Sequence, residues 1–154
     1  GNWLRDLFDV THVLFVFLGK PEAERVLRLN DQLRRRVPYR ASLDYFSAAD
    51  EKRLREFKSL MTILERWLPL ADSSGLTTGD IAMRLYCATN GIMKFILETL
   101  DLSVPHAVRD GREHLVLSDL EMAFQKIWGE AADLVNPFSA NFQPRSLTKP
   151  GEPF

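Results

Sequence analysis

The sequence predicts a mostly α-helical chain that opens with a remnant, about two strands, of an α/β core. Two observations predict it. Val13-Leu14-Phe15-Val16-Phe17-Leu18 is an unbroken apolar run, and a strand without polar alternation is one buried on both faces, as in a parallel sheet. From residue 47 onward the pattern changes, and apolar residues recur at the three- and four-residue spacings of amphipathic helices. Parallel strands need neighbours, and the chain supplies too few, so it reads as the back half of a larger α/β protein.

Taken in order, residues 2–10 read as the end of a helix, with Trp3, Leu4, Leu7 and Phe8 on one side. Residues 12–18 are the buried strand. Pro21 suits a first helical position, and Glu22 and Glu24 follow it where the helix dipole favours acids. That helix runs to about Leu29, with Glu24 and Arg28 as an i,i+4 pair. Residues 37–43 read as a second, shorter strand, with Pro38 keeping its start at a sheet edge.

Helices follow. Ser47-Ala48-Ala49-Asp50 has the form of a capping box, and Leu54, Phe57, Met61, Leu64 and Leu68 form one face of the helix behind it, which Pro69 helps to end. Thr77 is placed to cap a second helix carrying Ile81, Leu85 and Ala88, and Asn90-Gly91 breaks it. A third carries Ile92, Phe95, Ile96, Thr99 and Leu100, and residues 104–110 read as a separate helical turn ending at Gly111. Ser118-Asp119-Leu120-Glu121 signals the start of a last helix faced by Leu120, Phe124, Ile127 and Trp128. The last twenty residues hold four of the eight prolines and read as an extended tail. The expected division is residues 1–45, 46–132 and 133–154.

Composition narrows the function classes. With 45% hydrophobic and 27% charged residues and a net charge of −1, the chain is globular and carries no global field for nucleic acid. The charge is local: residues 20–40 hold seven basic residues (20, 25, 28, 34, 35, 36, 40) against three acidic ones (22, 24, 31). Cys87 is the only cysteine, which excludes an intrachain disulfide and points to a reducing, cytoplasmic compartment. His12, His106 and His114 lie far apart and show no metal-ligand spacing, and no apolar run approaches the ~20 residues of a membrane span.

Gly19-Lys20 after an apolar strand invites a phosphate-binding reading, but a P-loop needs G-x-x-x-x-G-K-[ST], and Leu14 and Pro21 stand at its outer positions. No strand ends in Asp-Glu, so the chain has no Mg²⁺ carboxylate pair either. Arg34-Arg35-Arg36 is ordinarily a solvated face; its sharper readings are an arginine finger acting in trans on a neighbour's γ-phosphate, or a contact to DNA phosphates. Lys94, at a helix start behind Gly91, is either solvent-facing or a cation aimed at a nucleotide, and Lys20 past a strand end has the same two readings. Phe138, Phe142 and Phe154 are aromatics in a segment without period, which suits either a plain tail or docking on a partner.

Asn2-Trp3-Leu4, Gly19-x-Pro21-Glu22-Ala23, Asn30-x-Gln32-Leu33-x-x-Arg36, Leu68-Pro69-Leu70, Ala88-Thr89-Asn90-Gly91 and Val135-Asn136-Pro137-Phe138 together resemble the C-terminal half of the TniB/TnsC family, the AAA+ ATPases that regulate DNA transposition. The resemblance covers most of the chain. It implies that residues up to about 45 are the last part of the ATPase core, with Lys20 at the sensor 1 region and Arg35 or Arg36 as the trans-acting finger. It implies that residues 46–132 are the helical lid, with Lys94 at the sensor 2 position where many AAA+ proteins carry arginine. The full-length parent would use ATP and Mg²⁺ and assemble as a homo-oligomer on DNA. It would link a TniQ-type target selector to the transposase, with the tail suited to those contacts.

Without the phosphate-binding half, this chain alone is expected to hold no cofactor and to hydrolyse nothing. Its unpaired strands are expected to drive dimerisation or strand exchange. The alternative is a stand-alone, non-enzymatic helical interaction module. A free-standing DNA-binding domain fits the near-zero net charge less well.

Overall fold

A computed structural model describes residues 10, 11, 13–129, 134–145 and 147. The chain divides into two compact units, Gly1–Leu43 and Asp44–Phe154. The helix end expected over residues 2–10 falls almost wholly outside the described residues, as does Phe154.

In the first unit a 3₁₀ turn, Pro21–Ala23, leads into α1, Glu24–Arg28, and α2, Asp31–Arg36. The turn closes by the Ala23 N–H donating to the Lys20 carbonyl at 2.9 Å. Arg28 pairs with Glu24 at 3.0 Å, the i,i+4 pair that the sequence predicts. Asp31 lies in the first turn of α2 and all three arginines in its last, so the charges complement the helix dipole at both ends.

The two expected strands are corrected: among the described residues no strand forms. Residues 13–20 and 37–45 run without helix or ladder. Leu14 and Leu18 are 88% and 91% exposed, and Tyr39 and Leu43 are exposed as well. The physical reason is that a strand is defined by partners, and the described residues supply none. The Phe15 and Phe17 rings stack at 6.4 Å. Around 37–43 the tie is a side chain: Arg40 donates to Glu24 at 3.1 Å.

The second unit is four helices: α3, Glu51–Trp67; α4, Ile81–Thr89; α5, Met93–Arg109; and α6, Leu117–Trp128. Asp50 caps α3 by accepting from the Arg53 N–H at 2.8 Å, while Ser47 turns inward one step earlier and accepts from the Ala49 N–H. Phe57 and Met61 are fully buried, with Leu54, Leu64 and Leu68 packed beside them, as the spacing predicts. Each such large apolar side chain contributes on the order of 2 kcal/mol by leaving water.

α4 starts later than Thr77 suggests. The Thr78 hydroxyl and N–H both donate to the Gly75 carbonyl, and Gly79 takes φ +56°, so the chain turns before it can wind. The break after α4 is where the sequence puts it. Asn90 takes φ 49° and Gly91 φ 66°, left-handed conformations that only glycine and asparagine adopt readily.

α5 does not stop near residue 101 but runs on through Pro105 to Arg109. Proline removes the donor to the carbonyl of Asp101, and both residues lie on the exposed side, where water can replace it. The hydroxyls on the inner side are satisfied along the helix, Thr99 donating to Phe95 and Ser103 to Thr99, each at 2.7 Å.

α5 and α6 share the most extensive helix contact. The core common to the helices holds Phe57, Met61, Leu76, Leu85, Ile96, Leu120 and Phe124, with Tyr86 edge-on to Phe57 at 5.7 Å. Trp128 stacks edge-on against Phe95 at 4.8 Å. Loops close the far end. Asp72 and Leu115 donate their N–H groups to the Glu113 carbonyl and the Ser74 hydroxyl at 2.9 Å each, and the Glu65 carboxylate accepts from the Gly75 N–H. Among the described residues no helix is long and apolar enough to cross a membrane.

Candidate functional site

The cations singled out in the sequence all stand in water. Lys20 is exposed just before the 3₁₀ turn, and Arg35 and Arg36 are exposed in the last turn of α2. Their neighbour Arg34 pairs with Asp31 at 2.9 Å. Lys94 is exposed in the first turn of α5, its ammonium 5.4 Å from the Phe95 ring centre. Lys20, Arg35 and Arg36 belong to the first unit and Lys94 to the second.

What fixes Lys94 is the turn before it. The Phe46 N–H donates to the Gly91 carbonyl at 3.1 Å, and a Cβ built on Gly91 would lie 1.9 Å from the Phe46 oxygen. Glycine is therefore required at 91 twice over, by φ and by space, and the entry angle of α5 follows from it.

The aromatics of the tail are placed differently from the sequence expectation. Phe138, read as a residue for a partner, is buried at 2% exposure in the chain's own core, edge-on to Phe124 at 6.4 Å. Phe142 is half-buried, 6.0 Å from the Arg84 guanidinium carbon. The segment docks in cis because its backbone carbonyls find a donor there. Arg84 is buried on α4; its Nε donates to Asp80 at 2.7 Å, one terminal nitrogen to the carbonyls of Pro137 and Ser139 at 2.8 Å each, and the other to that of Phe142 at 3.0 Å. A planar fork with five donors can serve a carboxylate and three carbonyls at once; a lysine cannot. Asn136 completes the seat, its amide nitrogen donating to the Glu121 carbonyl at 3.0 Å and its oxygen accepting from the Phe138 N–H at 2.9 Å. The Cys87 thiol donates to the Arg145 carbonyl at 3.1 Å.

A second constellation joins α5 to α6. Asp119 is fully buried and accepts from the Val116 N–H at 2.9 Å, from both terminal nitrogens of Arg112 at 2.5 and 2.8 Å, and from His106 Nδ1 at 2.5 Å. Burial pushes its carboxyl up, but the Arg112 fork, the Val116 N–H and His106 outweigh that and hold it below the usual carboxylate range. Arg112 also holds Asp110 at 2.7 Å, and that carboxyl too is lowered. An oriented His–Asp pair supplies two of the three members of a hydrolytic triad. The hydroxyl one turn back, Ser103, is already committed to the carbonyls of Thr99 and Asp119. The cluster thus reads as an electrostatic joint. A groove of about 390 Å³ beside it, lined by Pro69, Leu70, Val108 and Arg112 among others, has its one cation bound to these acids. No group of metal-ligating side chains occurs among the described residues.

Sequence reasoning missed Arg84 and the Asp119 joint. Arg84 follows Asp80 by four residues, a signal for the ion pair but not for the tail, which lies more than fifty residues on. The Ser118–Glu121 signature puts the cap at Ser118, but the helix starts behind Val116 with Asp119 as the N3 acceptor, and neither that role nor the partners Arg112 and His106 were legible.

No protein-family model matches the chain, and no curated protein matches it.

Proposed function

We propose that the chain is the C-terminal half of a TniB/TnsC-type AAA+ regulator of DNA transposition, with the helices α3–α6 acting as its lid. The observation that carries this reading is the Asn90-Gly91 turn locked against Phe46, which starts α5 and leaves Lys94 exposed in its first turn. A cation held at a helix start by a rigid turn suits the reading of a nucleotide's charge in a lid. The arginines ending α2 are exposed in its last turn, which suits a finger acting in trans.

ATP and Mg²⁺ do not fit the residues present. Lys20, Arg35, Arg36 and Lys94 supply positive charge only, and the sequence has neither a glycine-rich phosphate cradle nor an Asp-Glu pair. No catalytic step is assigned to this chain. In the full-length parent its residues would answer to nucleotide bound elsewhere, while the homo-oligomer engages DNA, the transposase and a TniQ-type selector. The alternative, a stand-alone helical interaction module, is favoured by one observation: the helical unit closes its own core and seats its own tail.

The test is the reading frame upstream of Asn2. A G-x-x-x-x-G-K-[ST] motif followed by a strand ending in Asp-Glu is the expected result. A start codon close by without that motif would overturn the ATPase reading and leave the interaction module.

A further inference from the structure

The seat that α4 and α6 make for residues 134–145 is built like a site for a peptide. Its chief donor, Arg84, reads carbonyls, which every peptide has, at positions 137, 139 and 142. Specificity is left to a buried pocket for Phe138 against Phe124, to the Asn136 amide on the Glu121 carbonyl, and to the guanidinium face near Phe142. The segment's share of the core is Phe138, with Leu147 packed against it. Among its described residues only Pro137 and Phe138 are buried, while Val135, Ala140, Asn141, Gln143 and Arg145 are exposed. Its own backbone bonds are local turns, from Ser139 to Asn136 and from Phe142 to Ser139. The larger core of Phe57, Met61, Leu76, Leu85 and Ile96 is assembled from residues before it.

We infer that this face is a peptide-docking groove whose occupant is the chain's own segment 134–145, seated in cis and separable from the helices. It fits an extended segment with Asn-Pro-Phe and a second aromatic four residues on, so a partner segment of that chemistry competes with the tail. The inference stands on the seat alone and does not depend on the ATPase reading. The largest share of its polar attachment falls on one side chain, so it can be weakened at one position: Arg84→Lys keeps the charge and loses the fork.

The experiment uses the whole chain with residues 130–133 replaced by a protease recognition sequence. The folded protein is cleaved there and titrated with a fluorescent synthetic peptide of residues 134–147, followed by anisotropy and circular dichroism. The expected result is that the cleaved segment stays bound, then exchanges for the labelled peptide while the helical signal persists. Arg84→Lys should weaken the peptide at least tenfold, and Gln143→Ala, on the exposed side, should leave it unchanged. Loss of the helical signal when the segment leaves would overturn the inference by making the segment part of the core. A folded body that never accepts the peptide would overturn it as well, and so would equal affinity in the Arg84→Lys protein.

Discussion

Phe46 and Gly91 are locked together: the Phe46 N–H donates to the Gly91 carbonyl at 3.1 Å, and the Phe46 carbonyl fills the space a side chain on residue 91 would need. The contact joins the segment before α3 to the turn before α5, so one glycine sets the relation of two helices. Gly91→Ala combines a positive φ with a backbone clash, and a loss of about 3 kcal/mol is expected in urea unfolding. Gly79→Ala shares the positive φ but meets open space, and about 1 kcal/mol is expected there. Equal losses at the two sites would contradict the close approach.

The Asp119 joint makes acid stability specific. A carboxyl held below its unfolded value stabilises the fold above that value and ceases to do so as pH falls through the folded one. With an ordinary aspartate near 3.9, the contribution should be complete above about pH 5 and decline below about pH 4. Asp119→Asn should lower stability at neutral pH by about 3 kcal/mol, since it leaves donors without their charged acceptor, and should flatten this acid limb. Chemical unfolding at stepped pH checks both.

Lys94 is exposed, its ammonium near the Phe95 ring face at the surface, so Lys94→Ala should leave the unfolding free energy within about 0.5 kcal/mol of wild type. Under the proposed ATPase reading, the same change in a full-length parent should weaken ATP-dependent assembly. Under the same proposal Arg36→Ala should impair the site of the neighbour it faces, so hydrolysis by mixed assemblies should fall as the share of mutant subunits rises.

How much was legible in the sequence depended on the range of the interactions. The face of α3 was legible because Leu54, Phe57, Met61, Leu64 and Leu68 lie on one helix and need no distant partner. The break at Asn90-Gly91 was legible because the left-handed conformation is local chemistry. The run at 13–18 misled, because apolar composition states a preference for burial and says nothing of which strand supplies the ladder. The turn read separately over 104–110 is instead the end of α5, where Pro105 is tolerated because it faces outward. Arg84, Asp119 and the burial of Phe138 were illegible for one reason: each is defined by residues remote in sequence, brought close only by the packing of α4, α5 and α6.

Amide hydrogen exchange on the intact chain is the most direct test that residues 44–147 form a helical unit complete without a strand from residues 13–18. Amides of α3–α6 should share a common high protection, those of Phe138, Ser139 and Phe142 a lower one, and those of residues 13–18 should exchange at unprotected rates. Slow exchange throughout 13–18, matching that of the helices, would reveal a paired strand there and contradict the account.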